Sequence, residues 1–303
     1  MVKWFFVAIV LSVAGGCGAG GQAEFQFDGQ AAMEYVRTQM DFGPRIPNTE
    51  GHQQTGDWIQ ARLEETADQV EVQAFEHVSQ DGDTLYLRNF IGRFLPDRTD
   101  RILFVVHWDT RPIAEKSSNM ADRRRPTPGA NDGASGVALL LGLADELSRV
   151  PPAYGVDLLF VDGEDYGNFS TKTDVFLGST YFAENLPDGY RPLFAVVWDM
   201  IADAELQLPR EGNSVRGAPE VVERVWRVAD ELGFGGTFTN EIGTWVEDDH
   251  IPLLDAGIRA IDVIDFTYGG PTNPYHHTVE DTVDKLSAES LSLVGTVALA
   301  LVR

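Results

Sequence analysis

Apolar residues recur at helical spacing from Asp28 to Met40 and again from Gly51 to Thr66, then alternate with polar ones from Thr84 to Phe94. Side chains repeat every 3.6 residues around a helix and every two along a strand, so these patterns predict two helices followed by a strand. Beyond them the alternation gives way to a continuous apolar run, RILFVVH from Arg101 to His107, as expected of a strand buried on both faces. Asp132 to Arg149 reads as a helix opened by Asn131-Asp132. Strands follow at Gly155–Val161, Leu193–Val197 and Ile258–Ile264, with helices at Ser179–Glu184, Pro219–Leu232 and Ala288–Val302. Strands alternating with helices specify an α/β fold. The expected architecture is a three-layer sandwich, a mostly parallel mixed sheet with an antiparallel start and helices on both faces.

The amino terminus breaks this pattern. Lys3, an apolar run from Trp4 to Val13 and small residues from Ala14 to Gly16 read as a signal peptide over residues 1–16. The run is short of the roughly 20 apolar residues needed to span a bilayer. Cys17, the only cysteine, excludes internal disulfides, and its position after Val13-Ala14-Gly15-Gly16 resembles a bacterial lipoprotein attachment site. An exported protein of the periplasm or cell envelope is expected, touching the membrane only through a lipid on Cys17. Ordinary secretion with an incidental cysteine is the alternative. No repeat or linker divides residues 17–303, so one domain is expected, and a monomer. With 47 acidic against 23 basic residues, the formal charge of −24 disfavours nucleic acid and anionic lipid as partners.

Polar residues gather where the strands end. His107 and Asp109 follow the first core strand, Asp162, Glu164 and Asp165 the second, Asp199 ends the third, and Asp262 and Asp265 end the fourth. In open α/β sheets ligands bind at the carboxyl edge, where loops converge over a crevice. Asp132 alone would be read as a helix cap. Its setting in Gly-Ala-Asn-Asp-Gly-Ala-Ser-Gly (129–136) would also let backbone and ligand approach closely. His276-His277-Thr278 lies in a loop rich in Pro, Gly and Asn. Imidazoles and carboxylates without thiolate point to zinc, with manganese or cobalt behind it, and two histidines argue against calcium. The serine in Gly133-Ala134-Ser135-Gly136 lacks a nucleophile elbow, and neither a Walker loop nor a dinucleotide fingerprint is present. Trp108 and Trp198 are expected in the core, Trp245 and Tyr275 at a substrate pocket, and Arg123-Arg124-Arg125 in a solvated loop.

Six motifs carry a family resemblance: H-W-D-T-R-P at 107–112, G-A-N-D-G-A-S-G-V-A at 129–138, V-D-G-E-D-Y-G at 161–167, W-D-M-I at 198–201, D-D-H-I-P at 248–252 and H-T-V-E-D at 277–281. In this order they resemble the M28 zinc peptidases, and among them the glutaminyl-peptide cyclotransferases. The resemblance implies a zinc aminopeptidase-like fold with Asp132, Asp165 and His277 as zinc ligands and Glu164 as general acid/base. His107 and Asp199 match residues that hold a second metal in two-zinc aminopeptidases, and Asp248 matches a carboxylate that binds substrate together with Asp199. Two positions depart from the cyclase pattern. Asp262 stands where a histidine is usual, and His276 stands where a tryptophan lines the pocket.

The activity so implied is cyclisation of amino-terminal glutamine on peptides or proteins, with release of ammonia and one zinc. The alternative is a two-zinc aminopeptidase that hydrolyses amino-terminal residues. A third reading keeps the fold as a noncatalytic binding module.

Overall fold

Most of the anticipated elements form, and the computed structural model, which describes Met1 and residues 26–303, adds several short ones. The leader read over residues 1–16, Met1 aside, and Cys17 lie outside the described residues. In chain order the elements are α1 (Gly29–Phe42), α2 (Glu50–Thr66), β1 (Gln69–Val78), β2 (Thr84–Phe94), β3 (Arg101–His107), α3 (Ala134–Arg149), β4 (Gly155–Val161), α4 (Leu177–Glu184), β5 (Phe194–Asp199), β6 (Leu208–Arg210), α5 (Gly212–Gly217), α6 (Pro219–Glu231), β7 (Phe238–Ile242), α7 (His250–Asp255), β8 (Ala260–Ile264) and α8 (Ala288–Val302). Asp28, Thr49 and Ser287 cap α1, α2 and α8 with side-chain oxygens. Among the described residues no helix is long and apolar enough to cross a membrane.

The main sheet has six strands in the order β1-β2-β4-β3-β5-β8. β1 and β2 form an antiparallel hairpin, β2 joins β4 antiparallel, and β4, β3, β5 and β8 run parallel. Alternate residues of each central strand face opposite layers. In β5, Val196 and Trp198 pack with α1, α2, α3, α6 and α8, whereas Ala195 and Val197 pack against Phe182 of α4 and Leu253 of α7. Helices therefore cover both faces, more heavily on one. Trp108 and Trp198 are fully buried in the core.

The strand β1 escaped the sequence pattern for a physical reason. It lies at the sheet edge and has no fully buried residue, so its polar and apolar positions carry little contrast. The small β6–β7 sheet and the six-residue helices α5 and α7 are too short for periodicity to show.

Candidate metal centre and pocket

Four parallel strands end at one edge, and the polar residues converge there. His107 is the last residue of β3 and Asp199 the last of β5, while Asp165 lies in the turn after β4. Asp132 precedes α3, which begins only at Ala134 and has no side-chain cap, so the cap role does not apply. Gly133 at φ 93 makes the sharp entry, and a Cβ there would lie 2.8 Å from the Asp109 carbonyl oxygen. A Cβ on Gly136 would lie 2.7 Å from the Trp198 carbonyl oxygen, so a side chain there would push the helix off the sheet.

Asp132 stands at the centre and uses its two oxygens in different directions. Oδ1 lies 3.2 Å from His107 Nε2, which is also 3.2 Å from Asp199 Oδ1. Oδ2 lies 3.7 Å from His277 Nε2 and 3.8 Å from His276 Nε2. Asp165 Oδ1 completes this side, 3.3 Å from His277 Nε2. Burial opposes ionisation of Asp132, but the imidazoles of His107, His277 and His276 hold it well below the usual carboxylate range. Among the described residues, two sets of ligand atoms lie close enough to share an ion: Asp132, His276 and His277, and His107, Asp132 and Asp199.

The first set is better completed by Asp165 than by His276. The ammonium of Lys116 lies 3.1 Å from His276 Nδ1, and an ammonium only donates. His276 Nδ1 therefore accepts, and Nε2 carries the ring proton instead of a lone pair. His277 has the opposite arrangement. Its Nδ1 donates to Glu115 Oε1 at 2.9 Å, so Nε2 is the nitrogen that faces Asp132 and Asp165, and in the neutral ring it carries the lone pair. Its backbone is left-handed, φ 56, a conformation that costs a non-glycine residue on the order of 1 kcal/mol.

Glu164 borders the pocket beside these groups, buried, with Oε2 4.0 Å from His107 Nδ1. Burial raises its carboxyl well above the ordinary value; His107 opposes this, and the charges of Asp248, Asp165 and Asp249 add to it. Burial likewise raises Asp248 and lifts Asp199 to about 7. The cavity is about 870 Å³, and Glu164, Asp199, Asp248, Trp245, His276 and His277 all line it. Trp245, 57% exposed, stands at the mouth with Arg216 across its ring.

Other expected site residues fall elsewhere. Asp262 is the third residue of β8, not its end, and sits on the face shared with Ala260. It is fully buried with no hydrogen bond to its carboxyl oxygens, and burial together with Asp248, Glu211 and Asp199 raises its pKa well above the ordinary value. It does not line the pocket. Tyr275 is also absent from the lining: its ring packs on Tyr268 and covers Gly269, which has φ 76 and leaves space only for a hydrogen. Asp162 pairs with buried His52, and Asp265 accepts from Gln207 and Thr267 in its own loop.

Four supporting residues have no role assigned by the sequence pattern. Asp109 accepts the backbone N–H groups of Glu164 and Asp165 at 3.0 and 3.1 Å, fixing that turn. Asp281 accepts those of Asn131 and Asp132 at 2.8 and 3.2 Å, and the Tyr268 hydroxyl. Arg45, fully buried, donates to the carbonyls of Pro128 and Gly129. Glu115 reaches His277 across 162 residues. Asp109 is legible as an edge residue after β3 and, like Asp281, lies inside a motif; Arg45 and Glu115 lie outside the motifs.

Residues 89–302 match the family model described as Peptidase family M28. The structure is similar to that of a Bacteroides thetaiotaomicron glutaminyl cyclase bound to N-acetylhistamine, with TM-score 0.87 and 36% identity over 92% of this chain and 98% of that one. A Zn-dependent exopeptidase from Parabacteroides distasonis gives TM-score 0.87 and 32% identity over 92% and 98% of the two chains. Aminopeptidase YwaD of Bacillus subtilis (strain 168) is 26% identical over 226 residues, which are 71% of this chain and 44% of that protein's length. Identity at this level across nearly the whole fold, together with the ordered motifs at one sheet edge, leads to one conclusion: the chain belongs to peptidase family M28, in the branch that includes bacterial glutaminyl cyclases.

Proposed function

We propose that this protein is a zinc-dependent glutaminyl-peptide cyclotransferase. The observation that carries the reading is the convergence of Glu164, Asp199 and Asp248 on one pocket wall beside Asp132, Asp165 and His277. Clustered acids with raised pKa values suit an amine that must be held and deprotonated, and the likeness to a glutaminyl cyclase over most of the chain supports the same choice.

The buried donors fit zinc: an anionic Asp132, a second carboxylate and an imidazole with its lone pair inward. Asp132, Asp165 and His277 would hold it. When bound, zinc supplies a Lewis acid for the carbonyl oxygen of the substrate's side-chain amide. Asp199 and Asp248 bind the α-amine and orient it toward that carbonyl carbon. Glu164 takes a proton from the amine as the new C–N bond closes the ring. It then delivers that proton to the departing nitrogen, so ammonia leaves and no net proton is consumed. The raised carboxyl of Glu164 is suited to this two-way task. Arg111, with Nη1 3.1 Å from Asp165 Oδ1, offsets part of the acidic charge.

The test is a peptide beginning with glutamine, followed by mass spectrometry for loss of ammonia. Glu164→Gln should cut kcat by about 10²–10⁴-fold while zinc stays bound. Normal turnover by that variant would overturn the assignment.

The divided use of Asp132 favours one second reading, a two-zinc aminopeptidase in which Asp132 would serve both ions and His107 and Asp199 would hold the second. Two zincs per chain, with free amino acid as product, would select it.

A further inference from the structure

The segment after β3 lies against both loops that carry the His277-side ligands. Arg111 donates through Nη1 to the Asp165 carboxylate and carbonyl, each at 3.1 Å, and to the Gly167 carbonyl at 3.0 Å. Its Nε donates to both Glu115 oxygens at 2.8 and 2.7 Å, and Glu115 accepts from His277 Nδ1. The Lys116 N–H donates to the His277 carbonyl at 3.2 Å, and Ser117 Oγ accepts from the Val279 N–H at 3.2 Å. Phe169 closes the back of this ring of contacts, 5.1 Å from the Arg111 guanidinium and 5.6 Å from the His277 imidazole. Asp165, Arg111, Glu115 and His277 thus form a closed circuit around one side of the centre.

We propose that residues 111–117 are a strap that preorganises the metal centre, with Arg111 and Glu115 as its positioning residues. The proposal rests on the reading of Asp132, Asp165 and His277 as ligands. Glu115 selects the His277 tautomer whose Nε2 is free to bind, while the Lys116 N–H on the His277 carbonyl and Ser117 Oγ on the Val279 N–H hold the backbone around that residue in its left-handed conformation. Arg111 ties the second ligand, Asp165, to the same carboxylate. Outer partners of this kind orient a ligand before the ion arrives, and their loss typically weakens metal affinity by about 10–100-fold.

Glu115 is the residue to test, because its side chain is 34% exposed and can be truncated without opening a core cavity. Zinc affinity of the full chain is measured by competition with a chromophoric chelator, alongside the melting temperature of the metal-free protein. Glu115→Ala should weaken zinc binding by about 10–100-fold and leave the metal-free melting temperature close to wild type. Glu115→Gln keeps an oxygen that accepts from Nδ1–H and should recover most of the affinity. Imidazole ¹⁵N spectra of the zinc-loaded protein should show His277 protonated at Nδ1 in wild type, with this signature perturbed in Glu115→Ala. His277→Ala separates the two readings. If it loses zinc while Glu115→Ala binds as tightly as wild type, the strap is overturned and the ligands stand. If His277→Ala binds zinc normally, the ligand assignment itself fails.

Discussion

The two sides of Asp132 are built differently. Toward His277, the imidazole is anchored by Glu115 through its outer nitrogen, and Asp165 is held by Arg111 and by Asp109 on its backbone. Toward His107, the outer nitrogen has no hydrogen bond: Nδ1 is buried, 3.7 Å from Asp109 Oδ1 and 4.0 Å from Glu164 Oε2. Metal-binding imidazoles almost always engage their second nitrogen, so the His277 side is the more tightly braced of the two. Electrostatics does not separate the two: burial would lower the pKa of each imidazole, but carboxylates raise it, Asp109, Asp132 and Asp199 at His107 and Asp165, Glu115 and Asp132 at His277. The tighter bracing of the His277 side fits the one-zinc reading proposed above.

Substitution on each side in turn is the most direct way to break this comparison. His277→Ala should abolish stoichiometric zinc, whereas His107→Ala should keep one zinc with affinity lowered by no more than about 10–100-fold, as expected when a partner of the ligand Asp132 is lost and no ligand is. Metal analysis by mass spectrometry reads both. Equal losses from the two variants would mean that the sides are equivalent. A smaller effect is expected behind Asp132. Asp281→Asn retains one good acceptor for the N–H groups of Asn131 and Asp132, and should destabilise the protein by about 1–3 kcal/mol in chemical denaturation. The smallest concerns the pocket mouth. Trp245→Ala should raise KM several-fold with kcat nearly unchanged, because an exposed side chain at the rim adds binding that is equal in ground and transition states. A fall in kcat with unchanged KM would place Trp245 at the reacting atoms.

Local order in the chain was enough for much of this. Apolar runs such as RILFVVH and the helices between them determine an α/β sheet, and residues directly after such strands must emerge at its carboxyl edge, so His107, Glu164, Asp165 and Asp199 could be placed there from pattern alone. Periodicity is a property of neighbours along the chain. Which lone pair of His277 faces inward depends on Glu115, 162 residues away, and only folding brings the two together. The same applies to Tyr275, drawn from the pocket onto Tyr268, and to Asp262, whose place within β8 depends on where pairing with β5 begins. The sequence thus determined the sheet and the residues at its edge. The tertiary structure decided their tautomers and partners and which side of Asp132 is braced, because hydrogen bonds between distant segments leave no periodic trace.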